Sequence, residues 1–304
     1  MVQQKPRWPD FLVIGTAKAG TTSLYHYLKS HPQIYLSPIK EPKYFSHPDT
    51  PPVLVPPHRP IQFVWKRADY LRLFEPRTHQ LVAGEMSPEY IYSEAAPGAI
   101  RRLMPGAKLI AILRDPAERA HSHFSHNRRD GIEPLPDFAA ALAAEDLRIA
   151  EGWWVSFHYR QRGYYARQLR RYLGLFPREQ ILVLLYEDLV ADACAFLKRI
   201  CAFLGVDEDH SFNTSRRVNV SFGIPRSGAV RRLMRSRSIA GGVVRNVLPV
   251  VAGASSLQWL SRRILAPRPV LQPEVQADLV SGFKPDILKL QEIVGRDLSS
   301  WLRC

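Results

Sequence analysis

Short apolar runs alternate with longer stretches of helical period over the first two thirds of the chain. Phe11-Leu-Val-Ile-Gly15 has no polar position and reads as a buried strand. The following segment, Thr21 to Lys29, places Leu24 and Leu28 at i, i+4 and reads as a helix. Leu81-Val-Ala83, Lys108-Leu-Ile-Ala-Ile-Leu113 and Gln180-Ile-Leu-Val-Leu-Leu185 repeat the strand signal, each beside a helical stretch. Strands apolar along their whole length have both faces covered, and their alternation with helices predicts an α/β fold around a parallel sheet.

The punctuation between these elements carries further information. Asp115-Pro116-Ala117-Glu118 reads as a helix start, with Asp at the cap, Pro at the first helical position and Glu returning toward the cap. That assigns Asp115 to capping and not to a metal. Residues 50–60 are proline-rich without period and read as an irregular surface excursion of the kind that builds substrate loops. Residues 228–265 mix arginines with apolar runs broken by Pro249, a basic helical or lipid-facing subdomain within a single 304-residue domain.

Composition narrows the class. With 304 residues, 46% hydrophobic and 10% aromatic, the chain builds a sizeable core, which excludes disordered, collagen-like and mini-protein classes. It has no run of 18 apolar residues and no hydrophobic signal core before Phe11, so the expectation is a cytoplasmic protein, with 228–265 available for peripheral membrane contact. Cys194 and Cys201 lie seven residues apart in a helical segment, about 10 Å along the axis and too far to bridge. Unpaired cysteines favour a reducing compartment. Of the net charge of +14, eleven arginines between His210 and Pro273 supply +11, with no Asp or Glu among them. So concentrated a positive field implies an anionic partner: nucleotide, acidic glycan, phospholipid surface or nucleic acid. Arginine excess also follows from coding composition, since only 10 of the 42 basic residues are Lys.

The sharpest local signal is Gly15-Thr-Ala-Lys18-Ala19-Gly20-Thr21-Thr22-Ser23, at the junction of the first strand and helix. Free N–H groups at a helix start, with the helix dipole, make an anion site that glycines let a ligand approach. The glycine spacing fits a nucleotide-phosphate loop, and the fold expected is P-loop-like. A Walker loop, however, carries its lysine directly after the second glycine, where this chain has Thr21; its lysine lies inside the loop, at Lys18. That displacement argues against an NTP-dependent kinase.

Lys18-Ala19-Gly20-Thr21 resembles the Lys-x-Gly-Thr loop of sulfotransferases that use 3′-phosphoadenosine 5′-phosphosulfate (PAPS). The likeness is greatest to the heparan sulfate N- and 3-O-sulfotransferase type and its bacterial relatives. The resemblance implies that residues 18–23 hold the 5′-phosphosulfate, with Lys18 near the bridging oxygen of the leaving group, and that no metal is required. In-line positioning and neutralisation of developing charge are what such a transfer needs. Arg114 and Ser122, eight residues apart, match the family pair that grips the 3′-phosphate. Lys40-Glu41-Pro42-Lys43-Tyr44-Phe45 resembles the segment carrying the catalytic base. That makes Glu41 the base, with Lys40 or Lys43 orienting the sulfuryl group or an anionic acceptor, and His47 the alternative base. Gly84-Glu85-Met86-Ser87-Pro88-Glu89-Tyr90 resembles the Glu-Lys-Ser-Pro region, with Met86 where the heparan enzymes have a second active-site lysine. Glu85 is there either a site residue or a strand-end carboxylate. Tyr164 contacts nucleotide or acceptor unless it is core, as Leu169 and Leu173 at helical spacing suggest; Arg216 and Arg217 stand where the family has a loop closing over the nucleotide, with simple surface charge as the other reading.

Around these residues, Arg119 is expected to pair locally with a carboxylate, and His121, His123 and His126 share no helical face that could bind a metal. Loops 46–65 and 150–160 are expected to set the acceptor, a carbohydrate or lipid-linked hydroxyl, less readily an amine. Two other readings stand beside this one: a nucleic-acid or membrane-binding module on the 210–273 arginine block, and an NTP-dependent kinase.

Overall fold

The computed structural model describes residues 8–53, 63–214, 224–225, 265–266 and 269–303. Its frame is a parallel sheet of β1 (Phe11–Gly15), β2 (Ile34–Leu36), β3 (Val82–Met86), β4 (Lys108–Leu113) and β5 (Ile181–Leu185), in the spatial order β2-β3-β1-β4-β5. Side chains alternate across it as a doubly covered sheet requires. Leu12, Ile14, Leu109, Ala111 and Leu113 enter one hydrophobic cluster, and Phe11, Val13, Ile110 and Ile112 enter the other.

Two strand expectations shift. Leu81 is outside the sheet and 57% exposed, and the strand instead runs on through Glu85 and Met86. The edge strand Ile34–Leu36 was not anticipated, since three residues are too few to show a period. Gln180 closes a 3-10 turn before β5 instead of opening the strand.

The helices are α1 (Thr21–Lys29), α2 (Arg67–Arg72), α3 (Ala95–Leu103), α4 (Pro116–Arg129), α5 (Phe138–Ala143), α6 (Glu145–Ala150), α7 (Tyr165–Leu173), α8 (Tyr186–Ala191), α9 (Ala193–Leu204) and, near the carboxyl end, α10 (Pro273–Val294). Asp115 caps α4 as expected, accepting from the N–H groups of Ala117 at 2.9 Å and Glu118 at 3.0 Å. Burial raises its pKa to about 6 despite those bonds. Helix α7 lacks a cap of its own: Asp286 on α10 accepts from Ala166 N–H at 2.9 Å and Arg167 N–H at 3.2 Å. Cys194 and Cys201 are free, one exposed and one buried. Among the described residues no helix is long and apolar enough to cross a membrane. The proposed subdomain 228–265 and the arginine block lie almost wholly outside the described residues, as do Arg216 and Arg217.

Candidate functional site

The chain leaves β1 to one side, toward β2, and returns to β4 on the other, so the ends of β1, β3 and β4 meet where the strand order reverses. Ligands of open parallel sheets bind at such a point. Three expected segments converge there: the loop after β1, the turn after β3 and the start of α4 after β4.

The loop after β1 is made chiefly of backbone. Gly20 precedes α1 in a left-handed conformation, φ 81°, and no side chain of the N-cap residue caps the helix, the kind of start at which backbone N–H groups meet an anion. A Cβ at Gly20 would stand 2.8 Å from Leu189, and one at Gly15 would stand 2.5 Å from Ile91, so neither position admits a side chain without a shift. Lys18 is itself left-handed, φ 73°, a conformation that is strained for a residue with a Cβ. Its carbonyl accepts from the Arg114 guanidinium at 3.2 Å. Arg114 also pairs with Glu118 at 3.1 Å and lies 4.9 Å from the centre of the Tyr186 ring. Glu118 therefore orients Arg114 and does not turn back to the cap. Ser122 is buried within α4, 4% exposed. Thr22 and Ser23 are half-buried in the first turn of α1, and Ala19 is enclosed.

The second cluster is made of side chains. Glu41 accepts from Lys40 at 2.8 Å and from Lys43 at 3.2 Å, and Lys43 also reaches Glu89 at 2.5 Å. Burial alone would lower the Lys43 pKa; the carboxylates of Glu89 and Glu41 more than offset this and hold it above its usual value. Lys43 continues to Trp154, its ammonium 5.9 Å from the ring centre. His47 packs on Phe63 and Trp154, and burial lowers its pKa, which leaves the ring neutral and able to accept a proton. His47, Glu89, Trp154, Tyr164, Arg167 and Gln168 line part of a cavity of about 380 Å³. The loops expected to set the acceptor, 46–65 and 150–160, thus meet at one cavity wall. Tyr164 is half-buried on that wall, packed against the core with its ring edge-on to Phe283, whereas Leu169 is fully enclosed.

Glu85 lies beneath this cluster and is wholly buried, so it does not face the cavity. Burial lifts its carboxyl to about 8, against hydrogen bonds from Tyr90, Ser87 and Tyr70 that pull it down, while nearby Glu41 adds to the rise. Arg119 departs from expectation: it is fully enclosed, donates to the Tyr159 carbonyl and meets His123, with no carboxylate partner among the described residues. Of the other two histidines on α4, His121 packs edge-on to Phe138 and His126 lies 3.4 Å from Asp130. Among the described residues no three His, Cys, Asp or Glu side chains group to hold a metal.

Sequence reasoning missed three contributors. Glu89 stands within a quoted motif, but its role depends on Lys43, 46 residues earlier. Trp154 gave no signal beyond its place in an acceptor loop. Arg162 is buried with its Nε unpaired, and it lies close enough to Glu89 and Glu41 to feel both charges. Its pKa is lowered by burial.

Comparison with known proteins gives a consistent picture. The family model described as "Sulfotransferase family" matches residues 9–210. A bifunctional heparan sulfate N-deacetylase/N-sulfotransferase 4 of Mus musculus is 31% identical over 221 residues, covering 67% of this chain and 23% of the relative. The heparan sulfate glucosamine 3-O-sulfotransferase 6 of Homo sapiens is 27% identical over 217 residues, covering 69% of this chain and 57% of the relative. This chain therefore spans less than two thirds of either curated relative. A solved sulfotransferase from Alicyclobacillus acidocaldarius covers 98% of this chain and 100% of its own, with 30% identity and a TM-score of 0.77.

Proposed function

The chain belongs to the sulfotransferase family, and from that premise we propose that it moves a sulfuryl group from PAPS to a hydroxyl of a carbohydrate. The observation that carries this reading is the uncapped start of α1, where Gly20 leaves no room for a side chain and Arg114 grips the carbonyl of Lys18. That is a cradle for a phosphoryl oxygen, and it fits the donor's 5′-phosphosulfate. Arg114 and Ser122 serve the 3′-phosphate. Bound there, the donor supplies an activated sulfur and a phosphate leaving group.

The chain's own residues do the rest. Glu41 takes the proton of the acceptor hydroxyl as that oxygen bonds to sulfur. The bond from sulfur to the bridging oxygen breaks in line, its electron pair stays on the phosphate, and Lys18 and the loop amides neutralise the charge. The product is 3′-phosphoadenosine 5′-phosphate (PAP). Lys43, fixed between Glu41 and Glu89, orients the sulfuryl oxygens, and the cavity at His47, Trp154 and Tyr164 receives the acceptor. Aromatic faces beside arginine and glutamine suit a sugar, in keeping with the names of the curated relatives.

The test is transfer of labelled sulfate from PAPS to fractionated glycans and glycolipids, with Lys18→Ala and Glu41→Gln beside the wild type. Both variants should lose turnover. Stabilisation by Mg·ATP but not by PAP in a thermal shift would overturn the donor assignment and favour the kinase reading. Full turnover in Glu41→Gln would pass the role of base to His47.

A further inference from the structure

The segment that carries Glu41 is held from outside as well as by its own turn, in which Ser46 N–H donates to the Lys43 carbonyl at 3.2 Å. Lys43 sits in the left-handed region at φ 62°, immediately before the 3-10 turn Tyr44–Ser46, and no side chain of that segment caps the turn. Two of its backbone N–H groups are taken up by hydroxyls from the turn that follows β3. Lys43 N–H donates to Ser87 Oγ at 3.0 Å, and Phe45 N–H donates to Tyr90 Oη at 3.3 Å. Both hydroxyls converge on one carboxyl: Ser87 Oγ lies 2.9 Å from Glu85 Oε2, and Tyr90 Oη lies 2.7 Å from Oε1, where Tyr70 also donates at 3.3 Å. Glu85 and Tyr90 are fully enclosed, and so are Tyr44 and Phe45, which the turn drives into the core.

We propose that Glu85 is a positioning residue that holds the Lys43–Phe45 backbone through Ser87 and Tyr90, and so aims Glu41 and Lys43 at the transferring group. The inference rests on the reading of Glu41 as base. A left-handed lysine needs outside support, because its Cβ crowds the backbone there. Two buried N–H groups that lost their hydroxyl acceptors would also be left unpaired. The carboxyl sets the hydroxyl directions: with Oε1 accepting from Tyr90, the tyrosine's lone pairs are turned toward Phe45 N–H. Ser87 keeps a lone pair for Lys43 N–H whether it donates to ionised Glu85 or accepts from the neutral acid. A glutamine at position 85 reproduces the neutral acid, its carbonyl accepting from the tyrosines and its amide donating to Ser87.

The experiment compares steady-state kinetics of Ser87→Ala, Ser87→Thr, Tyr90→Phe, Glu85→Gln and Glu85→Leu, with PAP binding followed by thermal shift. Ser87→Ala and Tyr90→Phe should each lower kcat about tenfold or more, leaving the KM for PAPS and the PAP-induced shift unchanged. Ser87→Thr and Glu85→Gln should restore most of kcat, whereas Glu85→Leu should lose as much as the double variant Ser87→Ala/Tyr90→Phe or fail to fold. Wild-type kcat in that double variant would overturn the inference, as would equal loss in Glu85→Gln and Glu85→Leu when both are folded. Glu41→Gln run in parallel separates the two levels. If it is inactive while the double variant is fully active, only the positioning role fails; if it is fully active, the reading of Glu41 fails first.

Discussion

The two halves of the site are built from different materials. The donor half, residues 15–23 with Arg114, is a backbone cradle: an uncapped helix start, a glycine with no room for a Cβ, and a carbonyl held by a guanidinium. The acceptor half is an assembly of side chains, in which Glu41, Lys43, Glu89 and Trp154 meet from three distant stretches of chain. A backbone site depends on one local conformation and presents one ligand shape. A side-chain site can be rebuilt by changing single residues while the fold stays put, so on the proposed reading the donor half fixes the chemistry and the acceptor half tunes the recipient.

If that division is sound, changes on the two sides should separate in measurement. The largest effect is expected from Lys18→Ala, a loss of about 10²–10³-fold in kcat by removal of one preorganised cation, read by labelled-sulfate transfer. Glu89→Gln should come next. It frees the buried Lys43 ammonium from its shorter partner and should cost about 10–100-fold in kcat, with the PAP-induced thermal shift intact. A shift weakened as much as by a donor-half variant would erase the distinction between the halves.

A pH effect sharpens the comparison further, because Glu85 belongs to the acceptor half alone. Its carboxyl is lifted to about 8 from 4.5 by burial and by Glu41, against hydrogen bonds from Tyr90, Ser87 and Tyr70. Between those values the folded chain holds a proton that the unfolded chain has released, so stability falls as pH rises through the window. A loss of about 3–4 kcal/mol between pH 5 and 8 is expected in chemical denaturation, and Glu85→Gln should flatten that slope; an unchanged slope would place the proton elsewhere. The smallest effect is expected from Gly20→Ala, a destabilisation of about 1–2 kcal/mol for a left-handed alanine. Contact with Leu189 should also weaken the PAP-induced shift.

The same division explains what could be read in advance. The sheet, α1 and the Asp115 cap were legible because each rests on local pattern: unbroken apolar runs, leucines at i, i+4, and Asp before Pro. Lys18 and Gly20 could be singled out because the loop after β1 is a contiguous string, and Arg114 because it directly follows β4 and precedes the Asp-Pro helix start. Glu89 was not, since only folding sets it opposite Lys43. Glu85 was visible as a strand-end acid, but its burial under Tyr70 and Tyr90 depends on packing between α2 and β3. Arg119 misled for a related reason: its neighbours in sequence suggested a local carboxylate partner, whereas that face of α4 is enclosed and a backbone carbonyl serves as its partner.

The match to the family model stops at residue 210, but the architecture does not. Asp286, 120 residues downstream of Ala166, ties down the opening turn of the helix that brings Arg167 and Gln168 to the cavity. An expression boundary drawn where the recognisable stretch ends would unfasten that turn and leave its amides bare. The piece that must be made intact is longer than the stretch the family model matches.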